Sequence, residues 1–149
     1  MYTDTQKRTL KGLGALVITP FREDLSIDYD AISFNVAEMK KRGLCRDNAF
    51  FVVGGTMGEC GSMSLEERIR VIRTVCQAAG DMAVIAGVND NAIFNIIELA
   101  RVAADAGAAG LLLTPPFYIP YDDRQIFSFY KYINDHVQLP IMIYNNPAV

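Results

Sequence analysis

The sequence has few of the residues that metal sites and disulfide frameworks require. Its single histidine, His136, excludes any site that needs two histidines. Its three cysteines, Cys45, Cys60 and Cys76, are odd in number and lack CxxC spacing. We therefore expect reduced thiols in a cytoplasmic protein rather than disulfides or a zinc site. The sequence predicts no metal site and no cofactor.

The net charge is small, and long apolar runs are absent. The 14 basic and 17 acidic side chains give a formal net charge of −3, whereas nucleic-acid binding normally requires a basic face. No apolar run approaches the roughly 18 residues of a membrane helix, and the polar segment 1–11 has no apolar signal core. With 51% hydrophobic residues, the composition predicts a globular domain without a nucleic-acid or membrane partner.

Five short apolar runs alternate with four segments of helical spacing. The runs are continuous, which is typical of parallel strands that are covered on both faces. They span 14–19, 49–53, 83–86, 110–114 and 140–144. In the segments between them, apolar residues recur at steps of three and four, as in Leu65, Ile69 and Ile72. The order βαβαβαβαβ predicts a parallel sheet with right-handed crossovers.

The helix starts carry recognisable capping signals. Ser64 with Glu67 forms the pattern of a capping box, in which each side chain binds the other residue's main-chain N–H. The remaining candidate caps are Asp28, Asn91 and Asp122, the last with Gln125 as its partner.

Two folds fit this order of elements. One is a five-stranded doubly wound sheet, and the other is the first five strands and four helices of a (β/α)8 TIM barrel. A doubly wound domain would need a helix after strand five, where the sequence stops at Val149. Thr19-Pro20-Phe21 also stands where a phosphate-binding glycine loop would follow strand one. We therefore favour the barrel, with 1–149 as the N-terminal part of one barrel domain.

In either fold, functional groups lie at the carboxyl ends of the strands. After strand two, Gly54, Gly55 and Gly58 surround Thr56. Such a loop can leave main-chain N–H groups free to bind a carboxylate or phosphate, with the Thr56 hydroxyl as a further donor. A plain strand-to-loop turn is the alternative. Glu59 is a candidate general base or an anchor for the loop.

Tyr144 ends strand five and could relay a proton, which a tyrosine hydroxyl does only with help from neighbouring groups. A packed aromatic is the alternative for this residue, as for Phe117 and Tyr118 after strand four. The five lysines lie in the N-terminal arm or on helices. None of the strand ends therefore offers an amine for imine formation.

Taken together, the strand ends resemble a known family. Gly55-Thr-Met-Gly-Glu59, Thr114-Pro115 with its aromatics, and Tyr144-Asn-Asn-Pro147 are similar to motifs of the dihydrodipicolinate synthase/N-acetylneuraminate lyase family, as is Gly14–Phe21. The resemblance implies a class I (β/α)8-barrel aldolase that binds pyruvate or another 2-keto acid as a Schiff base to a lysine. It also implies a homo-oligomer, commonly a tetramer.

The resemblance assigns roles to individual residues. Gly55, Thr56 and Met57 match the segment that holds the keto-acid carboxylate, mainly through main-chain N–H groups. The Thr56 hydroxyl matches a member of the tyrosine relay, and Tyr144 matches the tyrosine that shuttles protons. The family's second tyrosine, which often reaches into a neighbouring subunit, corresponds to Tyr118, or to Phe117 if the segments are aligned without a gap.

Two departures from the family pattern affect the function that we expect. The synthase branch has an arginine two residues after the proline of the YNxP motif, and here that position is Val149. We therefore expect a 2-keto-3-deoxy sugar acid or similar hydroxy keto acid as substrate, with dihydrodipicolinate synthesis as the alternative. The family's imine-forming lysine lies on strand six, which these residues do not include, so a non-catalytic keto-acid-binding protein is a further alternative.

Five parallel strands would leave strands one and five as unpaired apolar edges. We therefore expect residues 1–149 to belong to a longer protein or to need a partner that completes the barrel.

Overall fold

The structure is a computed structural model and describes residues 10–145. Five strands alternate with four α-helices in the predicted order. The strands are β1 (Leu13–Leu16), β2 (Ala49–Val53), β3 (Val84–Gly87), β4 (Gly110–Leu113) and β5 (Ile141–Ile143). The helices are α1 (Tyr29–Lys41), α2 (Leu65–Ala79), α3 (Ile93–Asp105) and α4 (Asp123–His136).

The strands form one parallel sheet in the order β1-β2-β3-β4-β5. Successive helices pack against each other, α1 on α2, α2 on α3 and α3 on α4. A doubly wound sheet would instead reverse its strand order at the first strand. The doubly wound alternative is therefore wrong, and the sheet is the first five strands and four helices of a (β/α)8 barrel.

The predicted capping boxes are confirmed. The Ser64 hydroxyl accepts the N–H of Glu67 at 3.2 Å, and the Glu67 carboxylate accepts the N–H of Ser64 at 2.8 Å. Asp122 and Gln125 form the second box, and Asp28 caps α1. The prediction of Asn91 as a cap is wrong. Ala92 precedes α3 without a side-chain cap, because the Asn91 side chain binds a different loop.

The core lies between the sheet and the helices. Its fully buried side chains come from both layers and include Phe51, Leu111, Ile72, Ile96 and Leu99. On the opposite face of the sheet, Leu16 is exposed and Leu112 is only half-buried. This is the open interior expected of an incomplete barrel wall. Within residues 10–145, β1 and β5 each pair with a single strand.

Strand β1 is shorter than predicted, since it ends at Leu16 rather than at Thr19. Its neighbour β2 ends at Val53 and turns away at Gly54, which has φ of +67°. One more hydrogen bond, from Val17 N–H to the Val52 carbonyl at 2.9 Å, completes the pairing. No helix among the described residues has the length and apolar composition to cross a membrane.

Candidate active site

The loop after β2 turns sharply and then forms a single 3-10 turn over Thr56–Gly58. Two main-chain hydrogen bonds of 3.0 Å close this turn, from Gly58 N–H to the Gly55 carbonyl and from Glu59 N–H to the Thr56 carbonyl. The N–H groups at the start of such a turn have no acceptor within it. Those of Thr56 and Met57 are therefore available to an anion.

A glycine pair allows this loop to start where it does. Gly54 and Gly87 end neighbouring strands, and their main chains lie so close that a Cβ on Gly87 would overlap the Gly54 carbonyl oxygen. Gly54 also has a left-handed conformation, which a side chain disfavours. Glycine is therefore required at both positions to direct the following turn across the end of the sheet.

The turn and the end of β5 line one cavity of about 150 Å³. Gly55, Thr56, Met57 and Tyr144, all predicted site residues, are among its lining residues. The rest of the lining is Leu16, Val17, Val52, Gly58 and Leu112. The volume is below the range of roughly 300–1,000 Å³ that is typical of drug-sized ligand pockets, so the cavity suits a small molecule.

The lining of the cavity contains no charged side chain from the part of the chain that the structure describes. A negative charge placed there would be met by main-chain N–H groups and by the hydroxyls of Thr56 and Tyr144. The described lysines, Lys11, Lys40, Lys41 and Lys131, lie outside the lining. Glu59 is exposed and its side chain also lies outside it. The arrangement can bind a small carboxylate and place a phenol beside it.

Tyr144 is held in place through the end of β4. Its N–H donates to the Leu113 carbonyl at 2.9 Å, and the Tyr130 hydroxyl of α4 donates to the same oxygen at 3.0 Å. Burial raises the pKa of the Tyr130 phenol to about 12, so this phenol remains a hydrogen-bond donor. The helix layer therefore supports the position of the strand-five tyrosine.

The structure does not bring the predicted aromatics of the β4–α4 loop into this cavity. Neither Phe117 nor Tyr118 is among the lining residues. Tyr118 is 97% exposed and has a left-handed main chain, with φ of +81°. This conformation is unfavourable for a bulky residue, so other contacts must hold the loop in place.

Sequence reasoning missed the side chains that fix this loop. The Asn89 side chain accepts the Thr114 N–H at 2.8 Å, and the Asn91 side chain accepts the Phe117 N–H at 3.0 Å. Buried Arg68 of α2 binds both the Asn89 carbonyl and the Asp90 carboxylate. The only available signal was the polar run 89–91 directly after an apolar strand. Across residues 10–145, no three potential metal ligands cluster.

The sequence predictions that concern Pro147 and Val149 lie outside the described residues.

Comparisons of the sequence with a family model and with curated relatives indicate the same family. The family model described as the dihydrodipicolinate synthetase family matches residues 9–149. A curated relative from Chloroherpeton thalassium, named 4-hydroxy-tetrahydrodipicolinate synthase, is 35% identical over 144 residues, which is 96% of this chain. A relative of the same name from Chlorobium phaeovibrioides is 37% identical over 140 residues, or 93% of this chain. The chain spans about half the length of these relatives, 46% in both cases.

Solved structures show the same likeness. Dihydrodipicolinate synthase from Acinetobacter baumannii, complexed with pyruvate, superimposes with a TM-score of 0.86 and 30% identity, covering 94% of this chain and 47% of that protein. The synthase from Aquifex aeolicus gives a TM-score of 0.79 and 34% identity, covering 91% and 45% respectively.

Proposed function

The chain belongs to the dihydrodipicolinate synthetase family, and we propose on that premise that it carries the keto-acid-binding part of a pyruvate-type Schiff-base aldolase or lyase. Residues 1–149 would form the N-terminal part of a single barrel domain. The observation that carries the proposal is that Gly55, Thr56, Met57 and Tyr144 line one small cavity. The imine-forming lysine would be supplied from strand six of the barrel.

The proposed chemistry requires two functions from these residues. The N–H groups of Thr56 and Met57 bind the carboxylate of the keto acid, which leaves its carbonyl carbon toward the centre of the barrel. A protonated imine at that carbon acts as an electron sink, so that a neighbouring carbon–carbon bond can break or form. Tyr144, joined by the Thr56 hydroxyl, moves the proton that this step requires.

Tyr118 is the second relay aromatic in this proposal. Its nearly complete exposure and its left-handed main chain favour it over Phe117 as the residue that extends toward a neighbouring subunit. The protein would then function as a homo-oligomer, a tetramer by analogy with the family. Three free cysteines support a reducing, cytoplasmic location.

For the substrate we favour a 2-keto-3-deoxy sugar acid or a similar hydroxy keto acid. Val149 stands two residues after Pro147, where an arginine would bind the carboxylate of aspartate semialdehyde. Dihydrodipicolinate synthesis is the second candidate, because the curated relatives carry that function in their names. Cleavage assays with sugar acids and condensation assays with pyruvate and aspartate semialdehyde distinguish the two.

Borohydride trapping tests the mechanism on the full protein. Incubation with pyruvate and borohydride should add the mass of one reduced pyruvate per subunit, on a lysine that peptide mapping identifies. If calorimetry shows pyruvate binding but no adduct is trapped, the protein would instead be a non-catalytic keto-acid-binding protein. If the protein neither binds pyruvate nor forms an adduct, the proposal is wrong.

A further inference from the structure

Thr19 lies just after β1 and makes one contact that has no role in the proposed chemistry. Thr19 is 4% exposed, and its hydroxyl donates to the main-chain carbonyl of Gly58 at 2.7 Å. Gly58 ends the 3-10 turn that carries Thr56 and Met57. The hydroxyl therefore links the end of the first strand to the turn that lines the cavity.

This contact completes the restraint of one peptide group. The peptide between Gly58 and Glu59 is planar, so its carbonyl and its N–H turn together. Thr19 binds the carbonyl, and the Thr56 carbonyl accepts the Glu59 N–H at 3.0 Å. The peptide group is thus held at both ends, from β1 on one side and from the turn itself on the other.

The restraint acts on a strained segment. Glu59 has φ of +56° and ψ of +40°, a left-handed conformation that is unfavourable for a residue with a side chain. Such conformations persist only where the surroundings fix them. Gly58 packs so closely that a Cβ would lie 3.3 Å from the Val17 carbonyl oxygen and 3.8 Å from the Thr19 hydroxyl. The turn is therefore pressed against the end of β1, where Thr19 supplies the hydrogen-bond donor.

Without that donor, a buried carbonyl would lose its hydrogen-bond partner, which is unfavourable. The peptide would then gain from rotating its oxygen toward the open cavity. A carbonyl oxygen facing the cavity would repel a carboxylate, and rotation would also break the hydrogen bond that closes the turn at Glu59.

We propose that Thr19 is a positioning residue that keeps the Gly58 carbonyl turned away from the cavity, so that the turn presents N–H groups to the carboxylate of the ligand. This inference rests on the proposed function for the identity of the ligand. The orientation of the turn itself does not depend on that function.

The test uses Thr19→Val in the full protein, since valine has a similar shape but no hydroxyl. The dissociation constant of pyruvate, measured by calorimetry, should rise about tenfold, which corresponds to about 1.4 kcal/mol. The Glu59 amide should exchange its hydrogen faster in the variant, as followed by hydrogen exchange. Thr19→Ser, which keeps the hydroxyl, should restore both values to within about threefold of the wild type.

The matched control is Thr74→Val. The Thr74 hydroxyl also donates to a main-chain carbonyl, that of Arg70 in α2 at 2.9 Å, but it lies away from the cavity. This variant should leave pyruvate binding and Glu59 exchange unchanged. If Thr19→Val does not fold, weak pyruvate binding by the folded Thr19→Ser variant would overturn the inference, because its hydroxyl is intact.

This experiment distinguishes the proposed function from the role of Thr19. Wild-type protein that does not bind pyruvate contradicts the proposed function, while faster Glu59 exchange in Thr19→Val still supports the role in holding the turn. Wild-type protein that binds pyruvate, with Thr19→Val binding equally well, overturns the inference and leaves the proposed function intact. Unchanged Glu59 exchange in Thr19→Val also overturns it.

Discussion

The side-chain oxygen of Asn91 lies 3.0 Å from the main-chain nitrogen of Phe117 and accepts its hydrogen. Together with the bond from Thr114 N–H to the Asn89 side chain at 2.8 Å, this contact ties the loop after β3 to the loop after β4. The second loop carries Tyr118 in its left-handed conformation. The position of Tyr118 is therefore set by side chains from a neighbouring strand end.

We predict that Asn91→Ala lowers kcat by acting through Tyr118. Loss of one loop anchor should reduce kcat about tenfold and leave the KM for pyruvate nearly unchanged, since misplacing a reacting group affects the chemical step. In a double-mutant cycle, Asn91→Ala combined with Tyr118→Phe should be no slower than Tyr118→Phe alone. Asn134→Ala, at an exposed position of α4, is the control and should be neutral. Additive effects in the cycle would show that Asn91 acts independently of Tyr118.

We predict that Arg68→Met destabilises the protein. Arg68 is 5% exposed and binds the Asp90 carboxylate at 3.0 Å and the Asn89 carbonyl at 2.8 Å. Methionine would leave both acceptors without this partner, and the free energy of unfolding should fall by roughly 2–4 kcal/mol. Urea unfolding measures this change.

Arg101→Met is the matched control for this prediction. Arg101 pairs with Glu98 and Asp105 on the exposed face of α3, where such pairs contribute at most about 1 kcal/mol. A loss for Arg68→Met no larger than that for Arg101→Met would contradict a structural role for the buried pair.

The sequence predicted the order of elements and both capping boxes, because these depend on local patterns. Apolar periodicity places the strands and helices, and parallel strand ends share one edge of the sheet, so Thr56 and Tyr144 had to lie near one another. The contacts of Thr19 and Asn91 could not be predicted in the same way. The Thr19 contact joins residues 39 positions apart, and the Asn91 contact joins residues 26 positions apart. Both contacts depend on how two loops approach each other.

Asn91 illustrates why a local rule failed. Its position before an apolar helix is typical of an N-cap, yet its side chain binds Phe117 instead, and Asp90 accepts the Ala92 N–H at 2.8 Å. A tertiary contact thus replaced a local one. The structure also differs from the predicted length of β1 for a tertiary reason, since the end of β1 is set by where the neighbouring strand turns away.

We predict that Tyr144→Phe removes catalysis but not ligand binding. The phenol is assigned to proton transfer, which contributes typically 10²–10⁴-fold to the rate, so kcat should fall by at least about 100-fold. The dissociation constant of pyruvate should change less than about threefold, because main-chain N–H groups at Thr56 and Met57 bind the carboxylate. Tyr132→Phe, an exposed tyrosine of α4 outside the cavity, should have wild-type kinetics. A Tyr144→Phe enzyme with normal kcat would refute the assigned role.

We predict that Cys76 is unreactive in the folded protein. Burial raises the pKa of its thiol to about 11, and the thiolate is the nucleophilic form. At pH 8, iodoacetamide should modify exposed Cys45 much faster than Cys76, while in urea the two should react at similar rates. Since the folded state retains a proton that the unfolded state releases at lower pH, this group should reduce stability as the pH rises toward 11. Peptide mass mapping over time measures both rates, with Cys45→Ser as the control that removes the fast reaction. Equal rates for Cys76 with and without urea would contradict its protection by the core.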